Sequence, residues 1–160
     1  MKTLKDIIQE KLVITKDTKE KQRVYNYHPT NGVDLKSIID QKLWGKNGNK
    51  DADLNDIDLS KIIDMSALFY QEFPHNIDIS EWDVRRVEDM TNMFWNSDKF
   101  DCDLSKWNVH NVKSMRYMFR GCKNFKGKGL DKWQPINCTD FYGMFEDTPI
   151  ENNPPKWYKK

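Results

Sequence analysis

This chain of 160 residues has little histidine and little cysteine, and its plentiful carboxylates follow a repeat rather than a catalytic spacing. Its three histidines, His28, His75 and His110, fall in unrelated contexts. There is no HExxH, no nucleophile motif and no Gly-rich phosphate loop, so the common metallohydrolase, acyl-transfer and nucleotide signatures are absent. Cysteine is equally sparse. Cys102, Cys122 and Cys138 are separated by 20 and 16 residues, with no CxxC and no His/Cys metal spacing. They read as small buried hydrophobes rather than as redox or metal ligands. No apolar run approaches the 18 or so residues of a membrane span. The opening "MKTLKDIIQEKLVITKDTKE" alternates charges with aliphatics, has no unbroken apolar stretch and no small-residue cleavage site. These absences predict a non-enzymatic protein with no cofactor, no metal and no membrane contact, held in the cytoplasm of the cell that makes it.

What the chain does have is aromatic residues. They make up 12% of it, within a hydrophobic content of only 38% and a charged content of 32%. Large rings supply much burial per residue, which argues for a packed core in an otherwise polar chain. The rings recur at a fixed interval. Trp82 and Trp107 are 25 apart, and Trp133 follows after 26. Phe69, Phe94, Phe119 and Phe145 step by 25, 25 and 26. Met65, Met90 and Met115 form a third column continued by Phe141, and Leu68, Met93, Met118 and Met144 a fourth. About three and a half units result. The first is incomplete, with Ile57 standing where a Trp is expected. One unit cannot bury its apolar face alone, so such repeats imply stacking into continuous columns.

Within a unit, Met90, Met93 and Phe94 lie at i, i+3 and i+4, the spacing of a helical face. Asp89 precedes them, as Asp64, Ser114 and Asp140 do in the other units, and all four suit a helix N-cap. A helical or 3₁₀ turn of about six residues is therefore expected in each unit. "WDVRRV" and "WNVHNV" begin with apolar alternation and predict a short strand. In "DISEW" and "DLSKW", just before it, Asp and Ser are suited to bonding turn backbone.

"DISEWDVRRVEDMTNMF" and "DLSKWNVHNVKSMRYMFRGCKNF" resemble the bacterial surface-protein repeat of the BspA-like leucine-rich-repeat group, whose units run "DLSxWDVSNVxDMxxMFxxCxxF". The resemblance covers roughly Leu54 to Phe145. It implies an α/β fold: a right-handed leucine-rich-repeat-like solenoid with a short parallel sheet along one side. It also implies binding rather than catalysis. Many members of that group are long, exported adhesins. This short chain, with no export signal, is more similar to stand-alone bacterial or phage versions.

The flanks complete the plan. Residues 1–20 hold an amphipathic helix, with Leu4, Ile7, Ile8 and Leu12 on one face, and a polar linker. This segment either packs on the fold or docks on a larger assembly. Residues 21–53 form an N-terminal cap. In it "VYNYHP" suggests a short strand, and "DLKSIIDQKLW" a helix with Asp34 as N-cap and Leu35, Ile38, Ile39 and Trp44 on its apolar face. Residues 54–150 are the repeats. Residues 151–160 are a tail in which Trp157 and Tyr158 either cover the last unit or form an aromatic–basic partner motif.

Charge is unevenly spread. Residues 1–50 carry a net +5, residues 51–110 a net −9 and residues 111–160 a net +5. This bias is open to two readings, steering toward a charged partner or a solvated surface. Asp58, Asp78, Asp83 and Asp103 form an acidic ladder, but no calcium-loop motif accompanies it and Gly129 breaks the column. The basic run Lys113, Arg116, Arg120, Lys123, Lys126 and Lys128 lies beside the acidic middle, which argues against nucleic acid. The candidate binding residues are those that vary between units and are expected to face outward. They are Asp83, Arg85, Asn108 and His110 after each Trp, and Trp95 and Arg120 in the column Tyr70, Trp95, Arg120, Glu146. Exposed Trp and Arg are typical interface anchors. The sequence therefore predicts a non-catalytic protein–protein interaction module with one protein partner. The alternative is a structural or cargo component of a larger particle, such as a phage virion, docked through residues 1–20.

Overall fold

The computed structural model describes residues 23–49, 51–71 and 77–159. The helix expected over residues 4–13 and its linker lie outside them. Most of the described backbone is irregular. It contains one α-helix, α1 (Gly32–Trp44), one 3₁₀ turn (Leu130–Lys132) and five isolated parallel bridges.

α1 is capped by Asn31, whose side chain accepts a 2.9 Å bond from the Asp34 N–H. Asp34 is thus not the N-cap. It lies in the first turn, where its charge suits the helix dipole, and its carboxylate accepts from Thr30. Leu35, Ile39 and Leu43, four residues apart, bury the inner face. Trp44, expected on that face, is exposed, and Leu43 takes its place. "VYNYHP" forms no strand. Asn26 N–H donates to Asp56 O and Asp58 N–H to Tyr27 O, leaving a single bridge between Tyr27 and Ile57. Lys42 ties α1 to this junction. Its ammonium lies 2.9 and 3.1 Å from the Asp56 carboxylate oxygens and 4.6 Å from the centre of the Tyr27 ring.

Successive units lie side by side in parallel register. Asp64 bridges Asp89, Asp89 bridges Ser114, and Ser114 bridges Asp140. From each bridge the chain runs through consecutive turns, not through the expected helical turn. The amides show why. Phe94 N–H donates to Met118 O, while Met93 N–H donates to Met90 O in its own unit. Met90, Asn92, Phe94 and Asn96 all donate to the next unit, as do Met65, Ala67, Phe69 and Gln71, and Met115, Tyr117, Phe119 and Gly121. A helix would send every amide along its own axis. Here alternate amides point sideways, and the bonds of each unit are completed by its neighbour.

This path needs left-handed backbone at two positions per unit. Ala67, Asn92, Tyr117 and Gly143 form one positive-φ column, and Gln71, Asn96, Gly121 and Asp147 the other. The expected helix caps act instead as turn residues. Asp64, Asp89 and Asp140 each accept from the N–H two residues on, as do Asp53, Asp78 and Asp103. The strands expected after each Trp are also absent among the described residues, so the α/β assignment with its short sheet does not hold. Trp82, Val84 and Val87 are all buried, Arg85 and Arg86 are both exposed, and Val87 N–H closes a turn onto Val84 O.

The core is a set of ring columns. Phe69, Phe94, Phe119 and Phe145 stack with centroids 5.5, 5.6 and 5.9 Å apart and planes within 5°. Trp82, Trp107 and Trp133 stack at 6.2 and 6.4 Å, and Trp157 extends the column at 6.1 Å. Each indole N–H reaches back to a carbonyl of the unit before. Trp82 donates to Leu54 O, Trp107 to Ile79 O, Trp133 to Leu104 O and Trp157 to Leu130 O. A buried indole thereby keeps its polar handle satisfied. The Met and Leu columns fill the space between the rings. Trp157 and Tyr158 do cover the last unit: both pack against Phe145.

Candidate functional site

The turns that carry Met and Phe inward carry other side chains outward. Tyr70, Trp95, Tyr117 and Tyr142 form a continuous outer ladder of rings, with centroids 5.4, 5.4 and 5.3 Å apart. Two guanidinium groups interleave with it. Arg120 lies 5.5 Å from the Trp95 ring and 5.0 Å from Tyr117. Arg116 lies 4.8 Å from Tyr117 and 4.5 Å from Tyr142. Guanidinium stacking on ring faces is favourable and holds both side chains in place. Glu146, 3.2 Å from Arg120 Nε, and Asp140, 3.9 Å from Arg116, anchor the outer side.

Tyr117 is the hinge of this arrangement. It sits at φ 53°, in the left-handed column, and its ring lies over Gly143 of the next unit. A Cβ at Gly143 would come within 2.3 Å of the Tyr117 ring. The ladder is thus built from both sides, by a strained tyrosine and by a glycine that makes room for it. Tyr142 is 58% exposed and Tyr70 38%, while Trp95 and Tyr117 are half-buried by their neighbours. Rings preordered in this way present large contact area at little entropic cost on binding.

The six candidate residues from the sequence fall into two groups. Trp95 and Arg120 meet in the ladder. Asp83, Arg85, Asn108 and His110 are exposed and occupy turn positions. Arg85 forms a two-point pair with Asp83, at 2.8 and 2.7 Å, and holds its carboxyl below the usual range. Asn108 accepts a 3.1 Å bond from His110 N–H. The column Tyr70, Trp95, Arg120, Glu146 is in contact throughout. Tyr117, Arg116 and Tyr142 were absent from the sequence-based set. Arg116 and Tyr142 share a column with Ser66 and Thr91, and Tyr117 shares one with Ala67, Asn92 and Gly143, so no single column marks them.

The uneven charge has a structural use. Lys113 pairs with Glu88 at 2.6 Å, Lys126 with Asp101 at 3.3 Å, Lys128 with Asp103 at 3.1 Å, and Lys106 with Glu81. Each pair joins residues 25 apart. The acidic middle is thus partly matched, column by column, by the basic unit beside it. Serine and lysine together hold the Asp103 carboxyl down to about 2. Among the described residues no cluster of His, Cys, Asp and Glu is arranged to hold a metal ion, and no helix is long and apolar enough to cross a membrane.

No curated protein and no solved structure matches this chain. A family model does match, and its limits follow the architecture: residues 34–157 run from the first turn of α1 to the Trp that completes the indole column. That span is more than half of the chain, and the chain therefore belongs to the family described as Mycoplasma protein of unknown function, DUF285.

Proposed function

We propose that this protein is a non-catalytic protein–protein interaction module built on a short leucine-rich-repeat-like solenoid. The parallel, in-register bridges and the sideways amides support the solenoid reading, since both relate each unit to the next by the same step. The observation that carries the binding role is the ladder of Tyr70, Trp95, Tyr117 and Tyr142 interleaved with Arg116 and Arg120. It concentrates Trp, Tyr and Arg, the residue types that dominate interface energetics, on one contiguous surface. The partner is a protein that offers apolar and acidic groups to rings and guanidiniums.

The test is site-specific photocrosslinking in cells that express the protein. A photoreactive residue replaces Trp95 or Tyr142, with Lys132 as an exposed control away from the ladder. A discrete protein adduct from the two ladder positions alone is expected. For the purified partner, Tyr117→Ala is expected to weaken binding about 30-fold or more, the scale of a central anchor. Equal adducts from Lys132, or unchanged affinity in Tyr117→Ala and Arg120→Ala, would overturn the reading.

A further inference from the structure

The last unit breaks the hydrogen-bonding rule of the others at one edge. In every earlier unit alternate amides donate to the next unit. In the last, Met144, Glu146 and Thr148 still close their own turns onto the Phe141, Gly143 and Phe145 carbonyls, as Met118, Arg120 and Cys122 do onto Met115, Tyr117 and Phe119, but the sideways bonds are missing. The amides of Phe141, Gly143 and Phe145, which correspond to Met115, Tyr117 and Phe119, have no acceptor among the described residues. They line a groove of about 550 Å³ between the last turn and the tail, with Asp140, Tyr142, Glu146, Glu151 and Tyr158 around it. A row of amides two residues apart is what an extended chain pairs with when it adds to an edge.

The apolar columns do not share this opening. The Tyr158 ring stands 4.9 Å from Phe145 at 70°, and Trp157 closes the indole column. Tyr158 holds the place where the next stacked ring would sit, so a whole further unit, from this chain or a second copy, cannot seat without displacing it. An extended segment can, because it needs only the amide row. Charge adds to the selection. Three carboxylates and one ammonium, that of Lys159, border the groove. Glu146 and Asp140 are engaged by Arg120 and Arg116, whereas Glu151 has no cationic partner among the described residues and accepts only the Asp147 N–H.

We propose that this edge is a docking site for an extended polypeptide segment of a protein partner, which supplies backbone carbonyls to Phe141, Gly143 and Phe145 and a basic side chain to Glu151. The site goes beyond the ladder reading: it meets the ladder's end at Tyr142, but Trp95, Arg120 and Tyr117 do not line it.

The experiment is a titration of the full-length, isotope-labelled protein, followed by amide NMR, with two capped probe peptides of alternating pattern, acetyl-KVTVKV-amide and acetyl-EVTVEV-amide. The basic peptide is expected to shift the Phe141, Gly143 and Phe145 amides and to slow their exchange. It is expected to bind about fivefold more tightly than the acidic one, the worth of one rim ion pair. Glu151→Gln, at a half-buried position outside the apolar core, is expected to remove that preference while the amides still shift. Trp95→Ala is expected to leave both effects intact, which separates this site from the ladder. The proposal is overturned if neither peptide moves the three amides, if they are already protected in the free protein, or if their shifts follow protein concentration without peptide and so report a second copy.

Discussion

At the scale of single residues, the indole N–H groups and the ring columns set the stability of the fold. Trp107 contributes both a stacked ring and a 3.1 Å bond to the Ile79 carbonyl. Replacing it with Phe keeps most of the apolar area and removes one of the two bonds to that carbonyl, which keeps the Trp82 N–H. The expected cost is about 0.5–1.5 kcal/mol, the net worth of one hydrogen bond, read as a lower urea midpoint with an unchanged slope. Phe119→Ala removes a ring packed against Phe94, Phe125, Trp133 and Phe145, and about 3–5 kcal/mol is expected from the cavity. The thiols behave as packing groups. Burial pushes Cys122 from 9.0 up to about 12, so the folded state holds the neutral form. The unfolded thiol ionises first as pH rises, so Cys122 stabilises the fold below about pH 9 and that contribution is lost toward pH 12. At pH 8, thiol reagents should modify Cys122 only as fast as the protein unfolds. Fast labelling of native protein would contradict its burial.

At the scale of the element, the unit is a pair of left-handed turns where its sequence suggests a helical turn. Gly143→Ala tests this. It adds a methyl group at φ 60° and against the Tyr117 ring, and a cost of about 1–2 kcal/mol is expected from the backbone alone. Tyr117 should lose its seat, with increased solvent exposure in near-ultraviolet difference spectra. The same change in a helix would be stabilising, so the sign decides between the two structures. The period, the ring columns, α1 and the outward position of Trp95 were all legible in the sequence. The turns were not, because Met90, Met93 and Phe94 satisfy a helical spacing and the double turn equally. Glycine marks the double turn's left-handed positions only at Gly121 and Gly143, while Ala67, Gln71, Asn92, Asn96, Tyr117 and Asp147 hold the others without it. Trp157 was hidden as the fourth indole of its column because it follows Trp133 after 24 residues, not 25 or 26. Tyr117 was missed as a site residue because its neighbours in the column are Ala67, Asn92 and Gly143, none of them aromatic.

At the scale of the whole molecule, the pairing of units is held by sideways amides and tuned by charge. The ion pairs between the units around Trp107 and Trp133 and those before them are exposed, and each contributes roughly 0–1 kcal/mol. Their weight is in register, since a slip would set like charges opposite one another. Reversing Lys113, Lys126 and Lys128 to Glu together should lower the melting temperature more in dilute buffer than at high salt, where screening mutes the repulsion. Acid should act the same way. The Asp103 carboxyl is held from 3.8 down to about 2, so its contribution is present at neutral pH and is lost as pH falls through that window. In every unit but the last, alternate amides bond to the next unit. This pairing is tested most directly by NMR scalar couplings across hydrogen bonds. The Phe94 amide is expected to couple to the carbonyl of Met118, and the Asn92 amide to that of Arg116. Coupling of Phe94 to the carbonyl of Met90, four residues earlier in its own unit, would mean a helical turn and would contradict it.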